Sequence, residues 1–173
     1  MIMRRSDDQL LLPVNPLFIG LSLALAFAFH LLPLGRHAAL PDLMALTLVF
    51  WNVHQPRRVG VGLAFLFGLA MDVHEGALLG QHALAYTLLS YFAITIHRRL
   101  LWFGLLEQAL HVLPLFALAA VVSLAVRLAV GGMWPGWGVV AAPLLQALLW
   151  PVAAVVLLAP QRRPPDPDQN RPL

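Results

Sequence analysis

Apolar segments about 20 residues long, separated by pairs of arginines, constrain the fold of this chain more than any other feature. A helix needs about 20 consecutive apolar residues to cross the hydrocarbon core of a bilayer. Apolar residues make up 60% of the chain and charged residues only 11%, whereas a soluble globular domain has about 25% charged residues. The sequence therefore predicts an all-α integral membrane protein whose surface faces lipid.

We expect one membrane domain, residues 16–159, with six transmembrane helices. The predicted spans are about 16–34, 41–54, 57–72, 76–96, 107–130 and 139–159. The first is expected to be a retained span, because its apolar run exceeds the about 7 to 15 residues of a signal-peptide core. Residues 1–15 are predicted to be a cytoplasmic N-terminal segment. Residues 160–173 are rich in proline and lack an apolar pattern, which predicts a disordered cytoplasmic tail.

The arginines predict the orientation of the chain. If both termini are cytoplasmic, all arginines except Arg36 and Arg127 lie on the cytoplasmic side, as the positive-inside rule requires. They come as pairs between apolar segments rather than along one exposed face, so we expect no binding of nucleic acid. The chain has no cysteine, which excludes disulfides, thiol catalysis and cysteine-ligated metals.

Spans two and three are short, and two arrangements remain open for them. About 17 helical residues reach roughly 25 Å, less than the hydrocarbon thickness of about 30 Å. A re-entrant hairpin would hold Arg57 and Arg58 inside the bilayer at about 2.5–3.5 kcal/mol each, whereas full crossing with local thinning costs fractions of a kcal/mol per Å. We favour full crossing, with His54, Pro56, Arg57 and Arg58 in a cytoplasmic turn.

Small residues recur at helical spacing in spans three and four. Small residues at this spacing allow close approach of another helix, which could belong to this chain or to a partner. The predicted helix-packing or partner residues are Gly60, Ala64, Gly68, Asp72, Gly76, Gly80, Ala83 and Thr87.

The ionisable residues near these spans have two possible roles. Asp72, His74 and Glu75 could form a metal or proton site, but we expect helix-end roles, with Glu75 favouring the start of span four through the helix dipole. Glu107 and His111 are four residues apart in an apolar helix and form a candidate intramembrane polar pair. No nucleotide-binding, metalloprotease or nucleophile motif occurs, so we expect no catalytic, cofactor or metal site.

The central part of the sequence, about residues 40–110, resembles the MreD family of bacterial rod shape-determining membrane proteins. The residues that carry the resemblance include Pro41, Asp42, Trp51, His54, Pro56, Gly60, Gly68, Asp72, Gly76, Gln81, His82, Arg98, Arg99 and Gln108. This combination is much more specific than any one of its motifs.

The resemblance implies a non-enzymatic protein of the bacterial inner (cytoplasmic) membrane that helps to maintain rod shape. It also implies MreC as a direct partner, with RodA, a class B penicillin-binding transpeptidase and MreB in the same elongation complex. The family is similar in architecture to the six-helix substrate-binding subunits of energy-coupling-factor transporters. We therefore expect spans two to four to form a platform for MreC, and the arginine-rich turns to face cytoplasmic partners or anionic membrane lipid. The alternative is a substrate-binding subunit of a vitamin-type small-molecule transporter.

Overall fold

A computed structural model describes residues 14–32 and 40–161. These residues form helices and connecting turns, with the bounds α1 (Pro16–Leu31), α2 (Leu43–His54), α3 (Gly60–Glu75), α4 (Gln81–Leu100), α5 (Leu105–Ala129), α6 (Gly138–Leu158) and a 3-10 turn at Ala159–Gln161. Most of the predicted N-terminal segment and tail lies outside the described residues, as does the loop at 33–39.

Each predicted span overlaps one of these helices. The α3 and α4 helices lie a few residues later in the chain than expected, with α4 beginning at Gln81 rather than near residue 76. The reason is that Gly76 (φ 60°) and Gly80 (φ 105°) both have left-handed backbone conformations, which glycine adopts at little cost and which end or precede a helix. Both glycines therefore lie in the α3–α4 turn. The prediction that they lie on the packing face of a helix is wrong.

The length and hydropathy of the helices bear on which of them cross a membrane. Within the described part of the chain, α5 and the segment Gly138–Gln161 are long and apolar enough to cross, with mean hydropathies of 2.3 and 2.1. The apolar helices α1 and α2 are shorter. The described part of the chain is thus all-helical with two helices suited to crossing, and six complete crossings stay a prediction.

The α2 helix forms the centre of the structure. Every residue from Met44 to Val53 is buried, and α2 packs against α1, α4 and α6. A helix that is apolar on all sides is expected to be enclosed by others. Because α2 is covered, it offers little side surface to a partner helix, and the platform expected from spans two to four is reduced to α3 and α4.

Apolar side chains cover the outside of the bundle. On α1, Leu17 is 78% exposed and Leu25 is 62% exposed; on α6, Leu148 is 73% exposed. Such continuous exposure of large apolar side chains is unusual on soluble proteins. It is the surface that a lipid environment favours.

Gly68 is the point of closest approach between α3 and α4. A Cβ atom on Gly68 would lie 2.4 Å from the Cα atom of Ala83 and 2.7 Å from the carbonyl oxygen of His82. Both obstacles are backbone atoms, so a side chain at Gly68 would force the two helices apart. For this part of the small-residue ridge, the neighbouring helix belongs to the chain itself.

We predict that Gly68→Ala destabilises the protein by about 3 kcal/mol, because a methyl group there overpacks a backbone contact. The measurement is the apparent Tm of the purified protein in detergent. Gly62→Ala is the matched control, since a Cβ at Gly62 meets nothing within 4 Å and alanine favours helix. Equal Tm values for the two variants would contradict the close approach of α3 and α4.

Candidate functional site

One end of the bundle, which we call the polar end, holds Asp42, Asp72, Glu75 and His82. Here α1, α3 and α5 end and α2, α4 and α6 begin. At the opposite end, which we call the arginine end, α2 turns into α3 at Arg57 and Arg58, and α4 ends with Arg98 and Arg99.

Asp72 lies at the polar end in the last full turn of α3, and its side chain is fully buried. Its carboxylate accepts hydrogen bonds from the backbone N–H groups of Gly80 (2.8 Å), His82 (2.7 Å) and Ala83 (3.3 Å). The first N–H groups of a helix have no partner inside it, and a negative charge beside them interacts favourably with the helix dipole. Asp72 therefore caps α4 from the neighbouring helix.

His82 extends this capping interaction to a second acid. Its Nδ1 atom lies 2.9 Å from Oδ1 of Asp72, and its Nε2 atom lies 3.6 Å from Oε2 of Glu75. Glu75 is the last residue of α3, so it does not begin span four as the sequence had suggested. The dipole role predicted for Glu75 belongs to Asp72.

Asp42 forms a second cluster at the polar end. Oδ1 of its carboxylate accepts a hydrogen bond from the N–H group of Ala45 at 2.9 Å, which caps α2. The other oxygen, Oδ2, accepts a hydrogen bond from the hydroxyl of Tyr86 on α4 at 2.5 Å. Nε2 of His30 lies 3.1 Å from Oδ1, and the Gln146 side chain donates to the backbone carbonyl of Asp42. This cluster connects α1, α2, α4 and α6.

A cavity of about 220 Å³ lies between α2, α4, α5 and α6 at the polar end. Its lining combines polar and charged side chains with small apolar ones, and the polar residues are Asp42, Glu75, Gln81, His82, Tyr86, Ser123, Arg127 and Gln146. Several of these groups already bond to the protein itself. Among the described residues, no group of three or more His, Cys, Asp or Glu side chains is placed to hold a metal ion.

Contacts within the chain hold the turn at the arginine end. The His54 ring stacks on Phe50 at a centroid distance of 4.1 Å, and its Nδ1 atom lies 2.9 Å from the carbonyl oxygen of Phe50. Pro56 lies in the turn before α3. Arg57 and Arg58 are exposed, and Nη1 of Arg58 donates to the carbonyl oxygen of Val14 at 2.7 Å.

The Glu107 and His111 side chains have separate partners. Oε2 of Glu107 accepts from the N–H of Gly104 at the start of α5, while Nδ1 of His111 lies 2.8 Å from the backbone carbonyl of Glu107. The His111 ring stacks on Phe103. Both residues are exposed, and these contacts are typical of a helix start rather than of an intramembrane polar pair.

A sequence model of the family described as "rod shape-determining protein MreD" matches residues 10–159. The chain belongs to the MreD family. It is 29% identical over 133 residues to the rod shape-determining protein MreD of Haemophilus influenzae (strain ATCC 51907 / DSM 11121 / KW20 / Rd), a match that covers 73% of this chain and 80% of the relative. No solved structure gives a significant match. Membership of this family supports a rod-shape-determining role and a membrane location.

The residues that carry the MreD resemblance have structural roles in this chain. Asp42 and Asp72 cap helices, and Gly68 allows close packing. The Trp51 indole is fully buried and donates from Nε1 to the hydroxyl of Ser22 on α1 at 2.8 Å. Pro41 precedes the Asp42 cap, and Gln81 begins α4. In this chain, much of the MreD signature thus serves helix packing.

Some of the predicted small residues are buried between helices, whereas Gly60 is not closely packed. Ala64, Gly68 and Ala83 are buried, and Thr87 lies one turn further along α4. Gly60 begins α3, and a Cβ there would meet nothing within 4 Å. Close packing of the ridge therefore centres on Gly68.

Three residues of the polar end were not indicated by the sequence alone. Tyr86, Gln146 and His30 all interact with Asp42. Each is a polar or ionisable side chain in an apolar helix, which is itself a signal for a protein-facing position. Their convergence on one carboxylate could not be predicted without the arrangement of the helices.

We predict that Asp72→Ala lowers stability by about 3 kcal/mol, because buried N–H groups at the start of α4 lose their acceptor. Asp72→Asn should have a smaller effect, since it retains one oxygen. The measurement is the apparent Tm in detergent. Glu107→Ala is the control, because this exposed acid also accepts a bond at a helix start but its loss leaves that N–H open to water. An Asp72→Ala effect no larger than the control would contradict the capping role.

Proposed function

We propose that this chain is a non-enzymatic membrane scaffold of the bacterial cell-elongation complex, which binds MreC directly and helps to organise lateral peptidoglycan synthesis. RodA, a class B penicillin-binding transpeptidase and MreB are further members of the proposed complex. Membership of the MreD family supports a role in determining rod shape. The molecular role proposed here goes beyond that membership.

The observation that carries the proposal is that Gly68 and Asp72 join α3 and α4 into a closely packed hairpin. Gly68 brings the backbones together, and the buried carboxylate of Asp72 joins the end of α3 to the start of α4. Groups that are saturated by contacts within the chain are poorly placed for chemistry on a substrate. A rigid hairpin with an apolar exterior suits a scaffold, because little ordering entropy is lost when a partner binds.

We place the transmembrane helix of MreC on the outward side of α3, which we call the α3 outer face. It consists of Gly62, Leu66 and Val73, whose spacings of four and seven residues put them on one side of the helix. Leu66 is 60% exposed and Val73 is 70% exposed, and Gly62 has open space where a Cβ would lie. A small residue between larger apolar ones allows close approach of a second membrane helix.

The alternative of a vitamin-type transporter subunit has less support. Small-molecule sites usually occupy about 300–1,000 Å³, whereas the cavity at the polar end has about 220 Å³. In addition, Tyr86 and Gln146, which line this cavity, are bonded to Asp42. These observations favour the scaffold.

The proposed location is the bacterial inner membrane, with six crossings, both termini in the cytoplasm and the architecture of energy-coupling-factor substrate-binding subunits. The distribution of charge supports this orientation. The arginine pairs Arg57–Arg58 and Arg98–Arg99 lie at one end, whereas Asp42, Asp72 and Glu75 lie at the other.

The absence of cysteine from the chain allows a direct test of this topology. We predict that single cysteines placed at Arg57 or Trp102 react with an impermeant thiol reagent only after the inner membrane is opened. Cysteines placed at Leu78 or Trp134, in turns at the polar end, should react from outside in spheroplasts. The unaltered chain is the control for background labelling. Labelling of Arg57→Cys from the outside would contradict the orientation.

We predict that Gly62→Leu lowers recovery of MreC with this protein by at least about tenfold, or about 1.4 kcal/mol, at equal membrane abundance. Leucine would block close approach to the α3 outer face. The matched control is Gly20→Leu on α1, where a Cβ also meets nothing within 4 Å. Undiminished recovery with Gly62→Leu would contradict the proposed surface.

The same two variants test the role in the cell. When the native protein is depleted in its host, Gly62→Leu should allow cells to round up, whereas Gly20→Leu should preserve rod shape. A nutrient-specific growth defect with normal shape would instead support the transporter alternative.

A further inference from the structure

An apolar groove lies between α1 and α3, on the side of the bundle away from the polar cavity. Its walls are Ile19, Gly20 and Leu23 of α1 and Leu63 and Phe67 of α3. The volume is about 480 Å³, which is within the range of about 300–1,000 Å³ for ligand pockets. The groove is open because Gly20 has no side chain and nothing lies within 4 Å of the place where its Cβ would be.

Two contacts bound the groove, one near each end. Towards the polar end, the rings of Phe27 and Phe67 lie 6.0 Å apart. At the arginine end, Arg58 reaches across and donates from Nη1 to the carbonyl oxygen of Val14. The groove is therefore bounded at one end by a ring contact between α1 and α3, and at the other by a hydrogen bond between residues that precede these helices.

The charge at the arginine end of the groove is positive. Arg58 lines the groove there and is its one charged lining residue within the described chain. A guanidinium has five N–H donors, and the bond to Val14 uses one of its nitrogens. Pro16 also lines this end and is the first residue of α1, so the positive end of that helix dipole points the same way.

We propose that this groove binds one anionic phospholipid, with an acyl chain between α1 and α3 and the phosphate beside Arg58. The apolar walls match a hydrocarbon chain. The guanidinium matches a phosphate, because its planar N–H groups can pair with two phosphate oxygens. The apolar groove thus matches the acyl chain of a lipid, and the single cation at its end matches the phosphate.

The proposal rests on the proposed topology only for the choice of leaflet. If the arginine end is cytoplasmic, the lipid comes from the inner leaflet. Binding itself depends only on the groove and on Arg58, so it can be measured on the isolated full-length chain without MreC. Failure of lipid binding and failure of the scaffold proposal are therefore distinguishable.

The test uses the full-length protein in detergent, with native mass spectrometry during titration with phosphatidylglycerol or with phosphatidylcholine, which has no net charge. We expect one phosphatidylglycerol per chain, held at least about fivefold more tightly than phosphatidylcholine, the effect of one basic side chain near an anionic lipid surface. Arg58→Gln should remove this preference, while retaining an N–H donor for the Val14 carbonyl. Arg58→Lys should restore most of the preference. Arg57→Gln is the matched control, since Arg57 is exposed but does not line the groove.

The apolar part of the site is tested by the two glycine variants. Gly20→Leu should fill the groove and lower phosphatidylglycerol retention by at least about fivefold, whereas Gly62→Leu should leave it unchanged because Gly62 does not line the groove. Equal losses with Arg57→Gln and Arg58→Gln would overturn the proposal in favour of general surface charge. Unchanged retention with Gly20→Leu would also overturn it. Displacement of the lipid by a transmembrane peptide of MreC would show that the groove holds a helix instead.

Discussion

The buried carboxylate of Asp72 is the interaction on which the α3–α4 half of the structure depends. A charge removed from water is tolerated only when hydrogen bonds replace its hydration, and here the replacement comes from the first N–H groups of α4. Both partners gain, since those N–H groups would otherwise be unsatisfied at a helix start. The left-handed turn at Gly76 and Gly80 allows the chain to reverse tightly enough for this contact. Gly68 then lets the two backbones approach along the helices.

Asp42 has the corresponding role on the other side of α4. Its backbone and side chain cap α2, and its second oxygen takes the Tyr86 hydroxyl, so one acid fixes the position of the central helix against α4. Every α2 residue from Met44 to Val53 is buried by the surrounding helices. At the polar end, the same carboxylates cap a helix and connect it to a neighbouring helix. Asp42 and Asp72 therefore each have a structural role at this end.

The sequence predicted the helices well and their interactions less completely. Apolar runs indicated each helix. The observed turn between α3 and α4 lies later in the chain than predicted. Glycines at spacings of four predict a helical ridge, but Gly76 and Gly80 have left-handed backbone conformations. Glycines spaced by four residues can lie on a helix-packing face or in a turn, and only the backbone geometry distinguishes the two cases. Likewise, Asp42 contacts His30, Tyr86 and Gln146, and Gln146 lies 104 positions away from it in the chain, which no local pattern encodes.

The α1 helix differs from the other helices in how it joins the bundle. It is anchored on α2 through the Trp51 indole, which donates to Ser22 and packs edge to face with Phe18, whereas towards α3 it leaves the apolar groove. The apolar side chains that line an empty space between helices lack dispersion contacts on that side. In a bilayer, the hydrocarbon chains of lipids can provide these contacts. The position of α1 relative to α3 therefore depends on what occupies the groove as well as on protein contacts. The α3 outer face belongs to the rigid hairpin, so it does not share that dependence, and a partner bound there would meet the same surface whether or not the groove is filled.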